Sequence, residues 1–200
     1  MKQWIEKNSI VLSLLLVIAV MVMIYCFSAQ TGVESGQMSG RLTTWVLNLI
    51  IPDFENFTPE KQESIRSTVG FIVRKLAHFT EYALLGFSLM LHIAQLEKKI
   101  TVRLPWLWAW GIGALYAATD EFHQGFVAGR GPSVRDVMID SSGVIAGVLL
   151  ILWIFSSEFS VSLNYSTSLR DSAILIFPIC LFMARFTTSA NTTVHTTART

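Results

Sequence analysis

The sequence has unusually few charged residues. Only 14% of its 200 residues are Asp, Glu, Lys or Arg, whereas 52% are hydrophobic, and the mean hydropathy is positive. A soluble globular domain carries more charge than this, because its surface has to be solvated. The composition therefore indicates an integral membrane protein, and the length suits a single domain.

Other absences narrow the function. Cys26 and Cys180 both lie in apolar stretches without a CxxC or metal-ligand spacing, so we interpret them as small buried hydrophobic residues. No basic stripe interleaved with aromatic residues is present, and we therefore expect no nucleic-acid partner. HExxH is also missing, which leaves His123 as a lone loop histidine. The sequence predicts no cofactor, and it identifies no metal ligands.

Apolar segments of about 20 residues match the ~30 Å hydrocarbon core of a bilayer. The predicted spans are residues 10–27, 76–96, 106–126 and 134–155. The fold class is therefore an all-α integral membrane protein, a bundle of four transmembrane helices over residues 10–155. In the extension 156–200, segment 173–186 is short and contains Pro178, so it is either a short fifth span or an interfacial or re-entrant helix. The Ser/Thr-rich end is expected to be disordered.

Basic residues predict the orientation. Lys2 and Lys7 precede the first span, and the short segment 97–105 has three basic residues against one acid; short basic loops favour the cytoplasmic side. We therefore expect a multi-pass protein of the bacterial cell membrane with a cytoplasmic N-terminus. The first span could instead be a signal peptide, but Phe27 and Ala29 fit the small-residue cleavage site poorly, so we expect it to be retained.

The connection between the first two spans contains helical patterns. One apolar face is formed by Leu42, Trp45, Val46, Leu49 and Ile50. This spacing predicts a helix that lies on the membrane or against the bundle and ends at Pro52. A second helix is predicted from Thr58-Pro59-Glu60, with Pro59 in its first turn, and the pattern allows it to continue directly into the span at 76–96.

Polar side chains cluster where the predicted spans meet the outer surface. Glu81, Asp120 and Asp140 should each lie roughly 9 Å inside a span, at ~1.5 Å per helical residue. Carboxylates are unfavourable in lipid, so we expect them to face inward and pair with nearby basic residues. Gly143 and Gly147 share a helix face and predict close helix packing. Ser133 and Asp136, at the start of the last span, match a capping box.

Three motifs resemble the VanZ-like family of bacterial membrane proteins, named for a teicoplanin-resistance accessory protein. They are FSAQ at 27–30 with Ser35 and Ser39 beyond it, RKLAHFTEYALLG at 74–86, and DEFHQGFVAGRGPSVRDVMIDSSGVIAG at 120–147. The resemblance covers about residues 27–150. It implies a membrane domain of four or more helices and a cell-envelope role, in some members low-level glycopeptide resistance. In the family, the last helix with ionic residues usually carries the pattern D-x-x-x-N. Here Asp140 stands at the Asn position of this pattern.

Two site hypotheses follow from these residues. The leading one is the binding of an anionic envelope component, such as a lipid-linked phosphate or a peptidoglycan precursor. Its ligand-binding candidates are Arg74, Lys75, Gln124, Arg130, Arg135 and Asp136. The rival is an intramembrane metal-dependent hydrolase or transferase. Its catalytic candidates are His78, Glu81, Asp120, Glu121 and Asp140.

Two further interpretations stay open. Intramembrane carboxylates also permit a proton-coupled transporter. The acidic groups cluster at one end of the predicted spans, however, and no paired half-repeats are evident, which disfavours transport. The same charges could instead serve only to hold the bundle together through inward salt bridges.

Overall fold

The computed structural model describes residues 2–159, with side chains described from residue 8 to residue 155. Its elements are α1 (Lys2–Ser28), α2 (Gly32–Ile50), a 3-10 turn (Phe54–Asn56), α3 (Pro59–Leu96), α4 (Pro105–Gln124) and α5 (Val134–Phe159). All regular structure in this range is helical, which confirms the predicted all-α class. The predictions for segment 173–186 and for the Ser/Thr-rich end lie outside the described residues.

Helix α3 is the centre of the bundle. It packs against α5 most extensively and also against α1, α4 and α2, while α4 packs against α5. Ser13, early in α1, lies 2.9 Å from Nδ1 of His92, late in α3, so these two helices are antiparallel. Ser28, at the end of α1, bonds to Asp120, late in α4, so those two are parallel. The predicted site residues therefore lie at the end of the bundle opposite Ser13 and His92.

Two helical stretches are long and apolar enough to cross a membrane. They are Asn8–Ser28 and Val134–Phe155, with mean hydropathies of 3.0 and 2.2. Their outward side chains are large and apolar, for example Leu15 at 56% and Trp153 at 67% exposure. Helices α3 and α4 cover the other two predicted spans but are less apolar, because they carry the polar residues of the site. Four membrane crossings therefore stay a prediction.

Helix α3 joins two predicted elements. The helix expected to begin at Pro59 and the span expected at 76–96 form one helix of 38 residues that passes Gly70 without interruption. Pro59 occupies its first turn as predicted, where the missing N–H of proline does no harm. Thr58 is the N-cap residue, although its side chain makes no capping hydrogen bond.

The apolar face of α2 was expected to lie on the membrane or against the bundle, and the structure contradicts the second position. Its predicted apolar face does not pack against the bundle: Trp45, Leu49 and Ile50 are 63%, 69% and 67% exposed. Thr43 and Leu47 are buried instead, on the side that packs against α3. The expectation that this face packs against the bundle is thus wrong, and its position on the membrane surface stays a prediction.

Glycines allow α3 and α5 to approach closely. A methyl group added to Gly143 would collide with the carbonyl of Phe79, and one added to Gly147 would collide with the backbone of Ala83 and Phe87. On α3, a methyl group added to Gly86 would collide with the carbonyl of Val144. The small-residue face predicted at Gly143 and Gly147 is confirmed, and it contacts backbone rather than flexible side chains.

This packing generates a stability prediction. We expect Gly147→Ala to lower the unfolding temperature of the purified protein, because helix backbones must separate and overpacking costs about 1–3 kcal/mol. Gly111→Ala on α4 is the matched control, since nothing lies within 4 Å of its added methyl group. The control should be neutral or stabilising by up to ~1 kcal/mol through helix propensity. Equal unfolding temperatures for the two variants would contradict the packing assignment.

Candidate functional site

The candidate site lies where α1 and α4 end and α5 begins. The loop from residue 125 to residue 133 crosses this end and is fixed to α2 by a hydrogen bond from the Gly32 N–H to the Ala128 carbonyl, 2.9 Å long. Gly129 has a φ of +75°, and a methyl group on Gly32 would collide with the Gly129 carbonyl. Both glycines are therefore needed to bring the loop and α2 together over the site.

Thr31 and Glu34 fix the start of α2 beside the loop. The Glu34 N–H donates to the Thr31 hydroxyl, and the Glu34 carboxylate accepts from the Thr31 N–H at 2.9 Å, which is a complete capping box. The bond from the Thr31 N–H holds the pKa of Glu34 below its usual value. The T-x-x-E pattern in the sequence could have revealed this helix start, which the apolar pattern from Leu42 onward did not.

Asp120 is buried and bonded to α1. Its Oδ2 accepts hydrogen bonds from the Ser28 hydroxyl at 2.6 Å and from Gln124 Nε2 at 3.0 Å, and the residue is 4% exposed. The expected pairing of Asp120 with a basic side chain is wrong, because Ser28 and Gln124 supply its hydrogen bonds. Asp120 therefore joins α1 to α4 at the site.

Glu121 holds the beginning of α5. Its Oε1 accepts the Ser133 N–H at 2.6 Å, and the residue is 4% exposed. In the capping box predicted for Ser133 and Asp136, that N–H would have bonded to Asp136. The prediction is wrong, because Asp136 turns instead to Lys75 and forms an ion pair with an Nζ to Oδ1 distance of 2.5 Å.

Two adjoining cavities open between α2 and this end of the bundle. The first, which we call the apolar compartment, has a volume of about 240 Å³ and an apolar wall of Phe27, Met38, Leu42, Val73 and Ala77. The second, the polar compartment, has a volume of about 200 Å³ and is lined in part by Lys75, Gln124 and Asp136. Both are lined by Ser35, Arg74, His78 and Arg130. The shared residues make the two compartments neighbours in one cavity.

The shared boundary is cationic. Arg74 is exposed and has no hydrogen-bond or ion-pair partner among the described residues. Arg130 is half-buried and donates from one guanidinium nitrogen to the Phe27 carbonyl at 3.2 Å, which leaves its other N–H groups available. Burial lowers the pKa of Arg130, the charge of Asp120 raises it and Arg74 lowers it, and a guanidinium stays charged at neutral pH. Two guanidinium groups therefore face one cavity.

Several buried polar atoms in this region lack partners. His78 Nδ1, Glu81 Oε2 and Asp140 Oδ1 make no hydrogen bond, and neither carboxyl group forms a salt bridge with a described residue. The prediction that these two carboxyl groups pair with basic residues is thus wrong. The fully buried Tyr82 hydroxyl faces Asp120 without a hydrogen bond of ordinary geometry. His78 and Glu81 line the cavity, so their free atoms are available to a ligand.

The cavity collects most of the residues predicted for the site. The predicted residues that line it are Arg74, Lys75, His78, Glu81, Gln124, Arg130 and Asp136. Asp120, Glu121 and Asp140 are buried behind it. Arg135 is exposed and lines neither compartment. Within residues 8–155, no group of three His, Cys, Asp or Glu side chains is arranged to hold a metal ion.

Sequence reasoning quoted Gln30, Ser35 and Ser39 among the family motifs but did not place them at the site. Ser35 and Ser39 of α2 and the preceding Gln30 add polar groups to the apolar compartment, and Met38 and Leu42 of α2 add apolar ones. The motif at 27–30 now has a structural role. Phe27 accepts the Arg130 bond, Ser28 binds Asp120, and Gln30 lines the cavity.

The ion pair between α3 and α5 can be tested by a double-mutant cycle. We expect Lys75→Met and Asp136→Asn to show a coupling free energy of about 0.5–3 kcal/mol in unfolding, because each removes the partner of a half-buried charge. Arg135→Gln with Asp136→Asn is the matched cycle and should be additive, since Arg135 forms no ion pair within the described part of the chain. Additivity in the Lys75 cycle would show that the pair contributes nothing to folding.

Comparison with known proteins identifies relatives at the level of a family. The model of the family described as VanZ/LLP1 matches residues 13–156. The match includes every residue that lines the cavity, most of the apolar stretch Asn8–Ser28 and all of Val134–Phe155. No curated protein and no solved structure matches the chain.

Proposed function

Because the chain belongs to the VanZ/LLP1 family, we propose that it is a multi-pass cell-envelope membrane protein that binds an anionic envelope component in its cationic cavity. Family membership and the two apolar helices together indicate a membrane protein. The observation that carries the binding proposal is the pair of guanidinium groups, Arg74 and Arg130, on the boundary between the two compartments. Arginine recognises phosphate and carboxylate groups through paired N–H donors.

The charge balance of the cavity supports an anionic ligand. Lys75 is neutralised by Asp136, and Asp120 and Glu121 are occupied by hydrogen bonds inside the framework. Arg74 and Arg130 line the cavity and form no salt bridge within residues 8–155, although Glu81 lines the same cavity. An anion would complete the hydrogen bonding of the two guanidinium groups. In members of the family, the corresponding role includes glycopeptide resistance, which we extend to this chain as part of the proposal.

The proposed orientation places the cavity outside the cytoplasm. Helices α1 and α4 run toward the cavity, and α3 and α5 run away from it. The basic segment 97–105 follows α3 and therefore lies at the opposite end of the bundle. Short basic loops favour the cytoplasm, which supports four crossings with the N-terminus inside.

Cysteine labelling tests this orientation. In a background of Cys26→Ser and Cys180→Ser, we expect a membrane-impermeant maleimide to label Gly131→Cys in intact cells. The Lys98→Cys variant should be labelled only after permeabilisation. Both positions are exposed, so accessibility on the protein itself is matched. Labelling of Lys98→Cys alone in intact cells would reverse the proposed orientation.

Substitution of the unpaired arginine tests the binding proposal. We expect Arg74→Gln to lower teicoplanin tolerance toward the vector-only value in a sensitive host, because it removes a cavity cation without breaking an internal bond. Arg135→Gln is the matched control, since it removes an equal charge from an exposed position outside the cavity. Immunoblots should show equal membrane levels of both. Unchanged teicoplanin tolerance in the Arg74→Gln variant at full expression would contradict the binding proposal.

One observation favours an enzyme as the alternative. His78 Nδ1 and Glu81 Oε2 have no partners and line the same cavity as the arginines, which is where an acid or a base would act on a bound phosphate ester. If the alternative holds, the purified protein should release phosphate from a lipid phosphate, and Glu81→Gln should abolish this release. The assay is run with and without added Mg²⁺. A Glu81→Gln variant that keeps full activity would exclude Glu81 as the catalytic group.

A further inference from the structure

The two compartments of the cavity differ in chemistry. The apolar compartment has a continuous apolar wall of Phe27, Met38, Leu42, Val73 and Ala77. The lining of the polar compartment contains no apolar side chain. It consists of charged side chains, an imidazole, an amide and a hydroxyl group, together with the backbone of three glycines. A ligand that fills both compartments must therefore be polar at one end and apolar at the other.

The boundary between the compartments fixes where the polar end would lie. Arg74, His78 and Arg130 line both, so an anion bound by the two guanidinium groups has the apolar wall directly beside it. Glu81 also lines the apolar compartment, with its Oε2 free of partners. In its monoanionic form, a phosphate monoester can donate its remaining proton to such an acceptor, while its other oxygens accept from arginine.

The apolar compartment is not closed off from its surroundings. Met38 and Leu42 on α2 are 43% and 47% exposed, so the compartment opens along α2. This opening adjoins the outward apolar face of α2, which includes Trp45 and Leu49. A hydrocarbon chain could thus leave the cavity over an apolar surface rather than through a polar one.

We propose that the cavity binds a phosphate monoester carried on a lipid, with its phosphate between Arg74 and Arg130 and the first part of its hydrocarbon chain in the apolar compartment. This inference rests on the proposed function and adds to it the class of anion and the position of the chain. A free phosphate ion has no group that could occupy the apolar wall. The same arginines would bind it, but without any contribution from Leu42 or Met38.

A series of water-soluble alkyl phosphates tests the inference. The full-length protein, in nanodiscs of zwitterionic lipid, is titrated by calorimetry with inorganic, methyl, butyl and hexyl phosphate, and empty nanodiscs serve as the blank. We expect affinity to rise about fourfold for each methylene that enters the apolar compartment. Inorganic and methyl phosphate should bind weakly and alike, because neither carries a chain long enough to extend along the apolar wall.

Matched variants separate the two parts of the ligand. Arg74→Gln should weaken every phosphate in the series by roughly tenfold or more, since it removes a charged donor. Leu42→Ser should leave methyl phosphate unchanged and remove the dependence on chain length. Leu49→Ser, the same change at a more exposed position on the same helix and outside the cavity, should behave as the unmodified protein. Ala77→Phe, which fills the apolar compartment, should repeat the effect of Leu42→Ser.

The outcomes distinguish this inference from the proposed function. Equal affinities for methyl and hexyl phosphate, both dependent on Arg74, would overturn the lipid-borne ligand and leave an anion-binding cavity. A dependence on chain length that Leu42→Ser does not change would place the chain elsewhere and also overturn the inference. Failure to bind any phosphate would overturn the inference but not the binding of a carboxylate-bearing envelope component, which the tolerance of the Arg74→Gln variant tests separately.

Discussion

The close approach of α3 and α5 is the constraint on which the rest of the structure depends. Gly143 and Gly147 let backbone meet backbone, and Gly86 makes the same contact from α3. Residues before these glycines on each helix are thereby held at a fixed separation. Lys75 reaches Asp136 on this account, and His78 and Glu81 are set on the next turns of α3, facing the cavity. The chemistry of one end of the bundle is positioned by packing just below it.

Acidic and basic residues have different roles at this end. Asp120 and Glu121 are neighbours in the sequence, yet one ties α4 to α1 and the other ties it to the start of α5. Buried carboxylates are tolerated there because hydrogen bonds replace their hydration. Arg74, by contrast, has no partner. The framework thus satisfies these two acids internally and leaves positive charge for whatever enters from outside.

Parts of this arrangement were predictable from sequence, and the failures have physical reasons. The glycine face at 143 and 147 followed from spacing alone, because helical periodicity is a local property. The partners of Asp120, Ser133 and Asp136 did not, since each local candidate competes with a group distant in the chain. The orientation of α2 also escaped prediction. Its apolar face indicated a helix, but only the tertiary structure shows that Thr43 and Leu47 contact α3.

The uninterrupted length of α3 has a consequence for how deep the cavity lies. Its 38 residues extend for roughly 57 Å at ~1.5 Å per residue, almost twice the ~30 Å thickness of a hydrocarbon core. About 33 Å of helix separates Leu96 from Arg74 on the same measure. If α3 enters the bilayer at Leu96, Arg74 stands at the level of the lipid headgroups. A headgroup diffusing in the outer leaflet would then meet this arginine at its own depth, without being dehydrated in the hydrocarbon.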